Sequence, residues 1–273
     1  MKYTIKDYQD IGKKLKERLE LETEIVAIKF FKNVSEIPDG FLRPFKDTGK
    51  KWTLCMGMSA ARRGGTKVAL TPEDNPCMIN TALGWAKVPL RVLFGSQTTN
   101  KWQKTLVSVL KNNNARLRLG GYMANLPLNL LLGYKGYMLS PLSSTPFIPD
   151  TALFYGYPEQ ILHVTHSLGY EGKYVPRAAM CGFGESCWAG TLFPLTSKRP
   201  VFVLLGTGDR TFGRVKKYEV GIGMPGSMIF YTDKYLYKSG GDFSIKDAIK
   251  NPPANPDENT FPGWKEVYDA MKY

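Results

Sequence analysis

The chain has 273 residues, of which 43% are hydrophobic and 22% are charged, which fits a globular protein of one large or two modest domains with a full core. Its formal net charge of +13 makes nucleic acid, acidic membrane surfaces and anionic ligands candidate partners, but the charge is spread along the chain without a nucleic-acid fold signature, so nucleic acid is not the favoured partner. No run approaches the roughly 20 apolar residues of a membrane helix, and the N-terminus lacks the apolar core of a secretory signal, which predicts a cytoplasmic protein.

The predicted elements begin with an amphipathic helix at residues 4–21, where apolar side chains recur at helical spacing with lysines between them. The apolar, β-branched run at 25–31 predicts a buried strand. The other predicted elements of the first half are a helix at 52–61 closed by Gly64 and Gly65, a strand at 67–70, a short helix after Cys77, a helix at 101–112 and a strand at 137–139. The nearly uncharged segment 117–136 would suit a pocket lining, a core cover or the contact of a homo-oligomer.

The second half repeats the alternation of strands and helices. Residues 201–205, V-F-V-L-L, are its clearest buried strand. The other predicted elements are a strand at 151–155, a helix at 158–168, a strand at 219–222, a helix at 228–237 and a C-terminal helix from about 262 to 273. This alternation predicts a mixed α/β (α+β) fold, with a central mixed sheet or sheets and flanking helices.

The proline- and serine-rich stretch 140–150 is the candidate boundary between two halves. The first half, residues 1–140, contains Cys55 and Cys77, and the second, residues 141–273, contains Cys181 and Cys187. The two halves share an order of strand, cysteine pair and glycine turn, although too few residues are identical to assert a duplication. One compact domain is the alternative.

These four cysteines are all that the chain has, and they are the first candidates for chemistry. Thiolates are soft, anionic ligands of iron–sulfur clusters and of zinc, and a four-iron cluster or a structural zinc each takes four of them. Zinc ranks second because its usual knuckle spacings of two to four residues are absent. A redox pair of Cys181 and Cys187, a thiol activated by a neighbouring arginine, and simple core packing are the remaining interpretations.

Two glycine-containing turns are candidates for binding a cofactor or an anion. The first follows the predicted helix at 52–61, where arginine can bind an anion or favourably meet the helix C-terminus. The second follows the strand at 201–205, a place where α/β proteins bind ligands through backbone N–H groups, although G-x-G alone is not a dinucleotide fingerprint. The candidate residues are Arg62 and Arg63 in the first turn and Gly206, Gly208, Asp209 and Arg210 in the second.

The only histidines, His163 and His166, are spaced to share one helix face. A metal or haem ligand pair is one interpretation, and two ordinary helix residues is the favoured one.

In the order and type of its motifs the chain resembles the family known as domain of unknown function 169, found in archaea and anaerobic bacteria. The resemblance runs from about residue 20 to 230. Its motifs are the strand at 25–30, Cys55 followed by Ala61-Arg62 and Gly64-Gly65, Thr71-Pro72-Glu73 leading to Cys77 and Ala82-Leu83-Gly84, Pro158-Glu159-Gln160, and Gly208-Asp209-Arg210 with Pro225 after it. It implies a cytoplasmic, mixed α/β protein in which Cys55 and Cys77 are motif positions, and it supplies no substrate.

We therefore expect a cytoplasmic iron–sulfur protein with one cluster, of the four-iron type, on the four cysteines. Its role would be electron transfer to a partner protein or a redox reaction on a small anionic molecule near Arg62, Arg63 and Arg210. The alternatives are a metal-free small-molecule-binding or accessory protein and a zinc-stabilised structural protein.

Overall fold

The computed structural model describes residues 3–75, 133–178 and 185–238. Its strands are β1 (Val26–Phe31), β2 (Val68–Leu70), β3 (Gly136–Pro141), β4 (Thr151–Gly156), β5 (Arg177–Ala178), β6 (Val201–Val203) and β7 (Val220–Pro225). Its α-helices are α1 (Ile5–Arg18), α2 (Pro44–Thr48), α3 (Leu54–Gly64), α4 (Pro158–Gly169), α5 (Phe193–Ser197), α6 (Thr207–Thr211) and α7 (Met228–Tyr235). A π-helix spans Glu185–Leu192, and short 3-10 helices span Val34–Glu36 and Leu142–Ser144.

The seven strands form one mixed sheet in the order β2-β3-β1-β4-β7-β6-β5. All neighbours are antiparallel except β5 and β6, which run parallel. The interior strand β1 pairs with β3 through Val26 and Pro141 and with β4 through Val26 and Leu153. The stretch 140–150 thus carries the chain from one side of β1 to the other, and strands of both predicted halves lie in the same sheet. The predicted mixed α+β fold with a central sheet and flanking helices is confirmed.

Both faces of the sheet are apolar, because successive side chains of a strand point to opposite sides. Val26, Ile28 and Phe30 of β1 pack in one core with α3 and the π-helix, and we call this side the α3 face. Ala27 and Phe31 pack in the other core with α1, α4 and α7, and this side is the α1 face. A sheet buried on both faces explains why its strands are continuous apolar runs rather than alternating ones.

The helix α1 begins where the sequence predicted it, since Thr4 caps it. The Thr4 hydroxyl accepts a hydrogen bond from the N–H of Asp7 at 3.3 Å, and the Asp7 carboxylate accepts one from the N–H of Thr4 at 2.7 Å. This capping box satisfies two donors that the first turn leaves without helical partners. The helix ends at Arg18, earlier than predicted, and Glu20 then adopts a φ of 49° that an α-helix does not allow.

Glycines let the helices of the α3 face approach the sheet closely. A methyl group added at Gly223 of β7 would lie 1.9 Å from the carbonyl oxygen of Gly190 in the π-helix. A methyl group added at Gly57 of α3 would lie 2.7 Å from the side chain of Leu139 in β3. At each glycine the neighbouring helix or strand is too close to admit a side chain. Larger residues at these positions would therefore push the helices away from the sheet.

Most predicted elements within the described residues are confirmed, with shifted ends. The predicted strand at 201–205 stops at Val203, and Leu204 is 49% exposed where the chain turns towards α6. The predicted helix at 228–237 stops at Tyr235. The predicted helices after Cys77, at 101–112 and at 262–273, and the segment 117–136, lie outside the described residues. Within the three described ranges, no helix is long and apolar enough to cross a membrane.

Candidate functional site

Cys55 lies in the first turn of α3, and its side chain is buried. The helix starts there because the Thr53 hydroxyl accepts a hydrogen bond from the N–H of Met56 at 3.2 Å. Only 6% of Cys55 is exposed. A methyl group added at Gly208 would lie 3.7 Å from the Cys55 sulfur, so the first turn of α6 packs directly beside this cysteine. The structure therefore brings the first predicted cysteine next to the predicted glycine turn.

Cys187 lies in the π-helix, also buried on the α3 face. It packs in the same core as Leu54 and Met58 of α3, and α3 contacts the π-helix. Segments of π-helix are rare and frequently occur at functional sites. Cys77 and Cys181 lie outside the described residues, so the convergence of all four cysteines stays a prediction. Among the residues that the structure describes, no three His, Cys, Asp or Glu side chains gather as a metal-binding group.

Between these two helices lies the hydroxyl of Tyr155, which comes from the sheet. This residue of β4 is 3% exposed, and its hydroxyl donates to the sulfur of Met58 at 3.1 Å. Burial raises the pKa of Tyr155 well above its ordinary value. The charge of Asp209 and the proximity of Cys55 add to the rise, whereas Arg62 and a hydrogen bond with Ser186 oppose it. Tyr155 is therefore a neutral phenol at any physiological pH.

Asp209 ties the glycine turn to the π-helix. It is 2% exposed, and its carboxylate accepts a hydrogen bond from the N–H of Gly206 at 3.0 Å and another from the hydroxyl of Ser186. Ser186 directly precedes Cys187. The buried carboxylate thus holds the start of α6 and the start of the π-helix together, and we call Tyr155, Ser186 and Asp209 the polar cluster.

Arg62 is buried beside the polar cluster, but its charge is already matched. It is 2% exposed, and its two terminal nitrogens contact the two oxygens of Glu219 at 2.7 and 3.2 Å. Its guanidinium also lies 4.2 Å from the centre of the Tyr155 ring. Arg63 adds a contact of 3.3 Å to the same carboxylate. A small anion at Arg62 would therefore have to compete with a bidentate ion pair.

The remaining sequence candidates lie further from the cysteines. Arg210 is exposed, and it donates to the carbonyl oxygens of Lys216 and Lys217 at 2.9 and 3.3 Å, which shapes the loop after α6. His163 and His166 lie on α4, which packs on the α1 face. The ring of His163 contacts that of Tyr237 at 5.0 Å, and His166 is exposed. The described structure thus separates both histidines from Cys55 and Cys187 by the sheet.

The sequence reasoning missed three residues of the site: Tyr155, Ser186 and Glu219. Tyr155 read only as part of an apolar strand, and Ser186 only as a spacer within the second cysteine motif. Glu219 pairs with an arginine more than 150 residues earlier in the chain, and no local pattern signals such a pairing. The sequence did contain one indication for Ser186: it directly precedes Cys187, so it would lie near any metal or cluster bound by that cysteine.

Comparisons with known proteins leave the activity open. The model of the family domain of unknown function 169, described as uncharacterised ArCR, matches residues 14–231. An uncharacterized protein of Methanocaldococcus jannaschii is 23% identical over 230 residues, which cover 81% of this chain and 90% of that protein. No solved structure matches the chain.

Proposed function

This chain belongs to the family of domain of unknown function 169, and we propose that it is a cytoplasmic iron–sulfur protein whose cluster is held by Cys55, Cys77, Cys181 and Cys187. One observation carries the proposal. Cys55 and Cys187 come from opposite halves of the chain, yet both are buried on the α3 face, on two helices that contact each other beside Tyr155.

The chemistry of the described residues fits such a group. Cysteine sulfur is the ligand that iron–sulfur clusters use, and when bound, a cluster supplies one-electron transfer. Cys55 and Cys187 would each provide one thiolate. Trp188, beside Cys187, is 5% exposed and packs in the same core with Leu54, so water is excluded from this side. The neutral phenol of Tyr155 and the hydroxyl of Ser186 are hydrogen-bonding groups close to the two cysteines.

Electron transfer is a better supported role than a reaction on a small anion. The anion prediction relied on Arg62, Arg63 and Arg210. Glu219 neutralises the first and contacts the second, whereas the third is engaged with carbonyl oxygens at the surface. Electron transfer needs only a cluster and a docking partner, so it does not require an unengaged arginine to bind a small anion.

The test is metal and sulfide analysis with an absorption spectrum, on protein purified without oxygen. We expect about four iron and four sulfide per chain, the stoichiometry of a single four-iron cluster, and a visible absorbance that bleaches on reduction. One zinc per chain and a colourless protein that unfolds on chelation would replace the proposal with a structural zinc site. A folded protein with neither metal would refute both and leave a metal-free binding protein.

Substitutions then test the ligand assignment. Cys55→Ser and Cys187→Ser should each lose most of the iron, as should the same change at Cys77 and Cys181. Leu54→Met is the matched control, because Leu54 lies on α3 beside Cys55, is 1% exposed, and such a volume-conserving swap costs less than about 1.5 kcal/mol. Leu54→Met should retain the iron. Full iron content in the serine variants would exclude these cysteines as ligands.

A further inference from the structure

The excess positive charge of the chain has a local concentration beside the candidate cluster site. Residues 210–218, R-T-F-G-R-V-K-K-Y, contain four cations and no carboxylate, and we call them the basic loop. Arg210, Arg214, Lys216 and Lys217 are all exposed, and Tyr218 at the end of the loop is 65% exposed. The two carboxylates that bound the loop, Asp209 and Glu219, are buried and bonded inwards. The outer surface of the loop is therefore positive.

The loop is held in a fixed shape from below. The carbonyl oxygens of Gly213 and Arg214 accept hydrogen bonds from the buried Arg62 at 3.5 and 3.4 Å, and Arg63 donates to the carbonyl oxygen of Arg214 at 3.1 Å. The N–H of Lys216 donates to Glu219 at 2.5 Å. Arg214 adopts a φ of 51°, a conformation that costs free energy for a residue other than glycine and persists when its surroundings enforce it. The buried ion pair thus presents the cations outwards.

The loop is also adjacent to Cys55. Gly208, whose backbone packs beside the Cys55 sulfur, precedes Arg210 by two residues on α6. A partner that binds the basic loop would therefore contact the segment of chain that directly follows the residue beside Cys55. Electron transfer between proteins uses small, transient interfaces, with charge complementarity that speeds the encounter.

We propose that the basic loop is the docking surface for an acidic electron-carrier protein, which exchanges electrons with the proposed cluster. The inference rests on the proposed function. The acidic partner follows from the charges: Arg214 and Lys217 have no described carboxylate partner, and only Lys216 is paired, with Glu22. An acidic protein fits better than a nucleic acid, because nine residues with one exposed aromatic ring offer no extended track of phosphate and stacking contacts.

The test measures both binding and electron transfer, with a reduced acidic ferredoxin as the probe. The variant removes three charges: Arg210→Gln, Arg214→Asn and Lys217→Gln. Asparagine is chosen at 214 because it tolerates a positive φ. The control removes three charges from the side of the α1 face, at exposed positions of α1, of the last turn of α7 and of the segment after it: Lys13→Gln, Lys234→Gln and Lys238→Gln. Both variants have the same net charge, so any difference between them reports position.

At low ionic strength we expect the loop variant to bind the ferredoxin, and to accept its electrons, about 10- to 100-fold more slowly than the wild type, since electrostatic steering contributes on that order. The control should stay within about twofold, and the dependence of the rate on salt should flatten only in the loop variant. Equal effects of both variants would overturn the proposal, as would preferential binding of a single-stranded oligonucleotide or an anionic lipid vesicle by the loop.

Iron content, measured on the same preparations, separates the two claims. If the protein has no cluster but the loop variant alone loses ferredoxin binding, the proposed function fails and the docking surface stands. If the cluster is present and the loop variant binds and accepts electrons like the wild type, the docking surface fails and the proposed function stands.

Discussion

Removing the charge of Glu219 should lower the free energy of unfolding more than a substitution at an exposed position does, because it leaves the buried Arg62 without its carboxylate partner. The side chains of Arg62 and Glu219 are 0% and 4% exposed, and their two contacts of 2.7 and 3.2 Å form a bidentate pair. Breaking a buried pair by changing one partner costs about 3–5 kcal/mol. In Glu219→Gln the guanidinium keeps its contact with the Tyr155 ring, which is worth up to about 2 kcal/mol when desolvated. We therefore expect a loss near the lower end, about 3 kcal/mol.

Urea unfolding followed by far-ultraviolet circular dichroism measures this loss. Two controls accompany it. The double change Arg62→Met with Glu219→Leu replaces both charges by apolar groups and should cost clearly less than Glu219→Gln alone. Asp10→Asn removes the exposed pair with Lys6 and should cost less than about 1 kcal/mol. A loss below about 1 kcal/mol in Glu219→Gln would refute the reasoning, since it would show that the buried guanidinium does not need its carboxylate.

The same pair predicts a dependence on pH. Burial alone would raise the pKa of Glu219, but the hydrogen bonds from Arg62 and from the N–H of Lys216, with the charges of Arg62 and Arg63, outweigh it and lower the pKa. A carboxyl whose pKa is lower when folded stabilises the protein fully above its unfolded pKa, about 4.3 for glutamate, and loses that contribution as the pH falls through the folded value. The stability difference between wild type and Glu219→Gln should therefore be constant near neutral pH and shrink below about pH 4.

Three further predictions concern packing and buried carboxylates. Asp74→Asn should cost about 2 kcal/mol in urea unfolding, because this fully buried carboxylate accepts hydrogen bonds from Thr71 and Phe45 and pairs with Arg43; a neutral asparagine with full stability would contradict it. Gly223→Ala should lower the melting temperature strongly or prevent folding, since its methyl group would lie 1.9 Å from a main-chain oxygen. Gly208→Ala should be tolerated, since its methyl group would lie 3.7 Å from the nearest atom, a sulfur. Equal melting temperatures of the two variants would contradict this reasoning. Asp209→Asn should cost about 1–3 kcal/mol and increase hydrogen exchange at the start of α6, because it weakens the bonds to Gly206 and Ser186; unchanged exchange would argue against it.

Local patterns in the sequence predicted the elements whose signals are local. The helix α1 has both an apolar stripe and a capping box, and β1 is a short β-branched run. The ends were less predictable, since β6 ends at Val203 and α7 ends at Tyr235 although apolar residues follow in both cases. The π-helix was not predicted at all. Hydrogen bonds between residues five apart leave no distinct side-chain period in the sequence, and the close approach of Gly190 to Gly223 is visible only in the fold.

The candidate site was predictable only in part, for a related reason. Cysteine and glycine turns stand out by residue type, so Cys55, Cys187, Gly208 and Asp209 could be singled out. Their meeting on one face depends on strand order, which the sequence did not reveal. Arg62 shows the limit most clearly: a basic residue beside two glycines looks like an anion site, and only the distant Glu219 reveals that its charge is already matched.

The matched charge of Arg62 bears directly on how thiolates could be stabilised on the α3 face. Burying an anion requires compensating charge or hydrogen-bond donors. Because Glu219 takes both terminal nitrogens of Arg62, that residue contributes little net positive charge to Cys55. The neutral hydroxyls of Tyr155 and Ser186 are the described groups nearby, and they donate to Met58 and Asp209, so either would have to redirect its proton to serve a thiolate. Arg62 serves instead to fix the basic loop through the carbonyl oxygens of Gly213 and Arg214. The positive charges that remain available are those of the loop itself, at the surface where a partner would bind, and not at the cysteines.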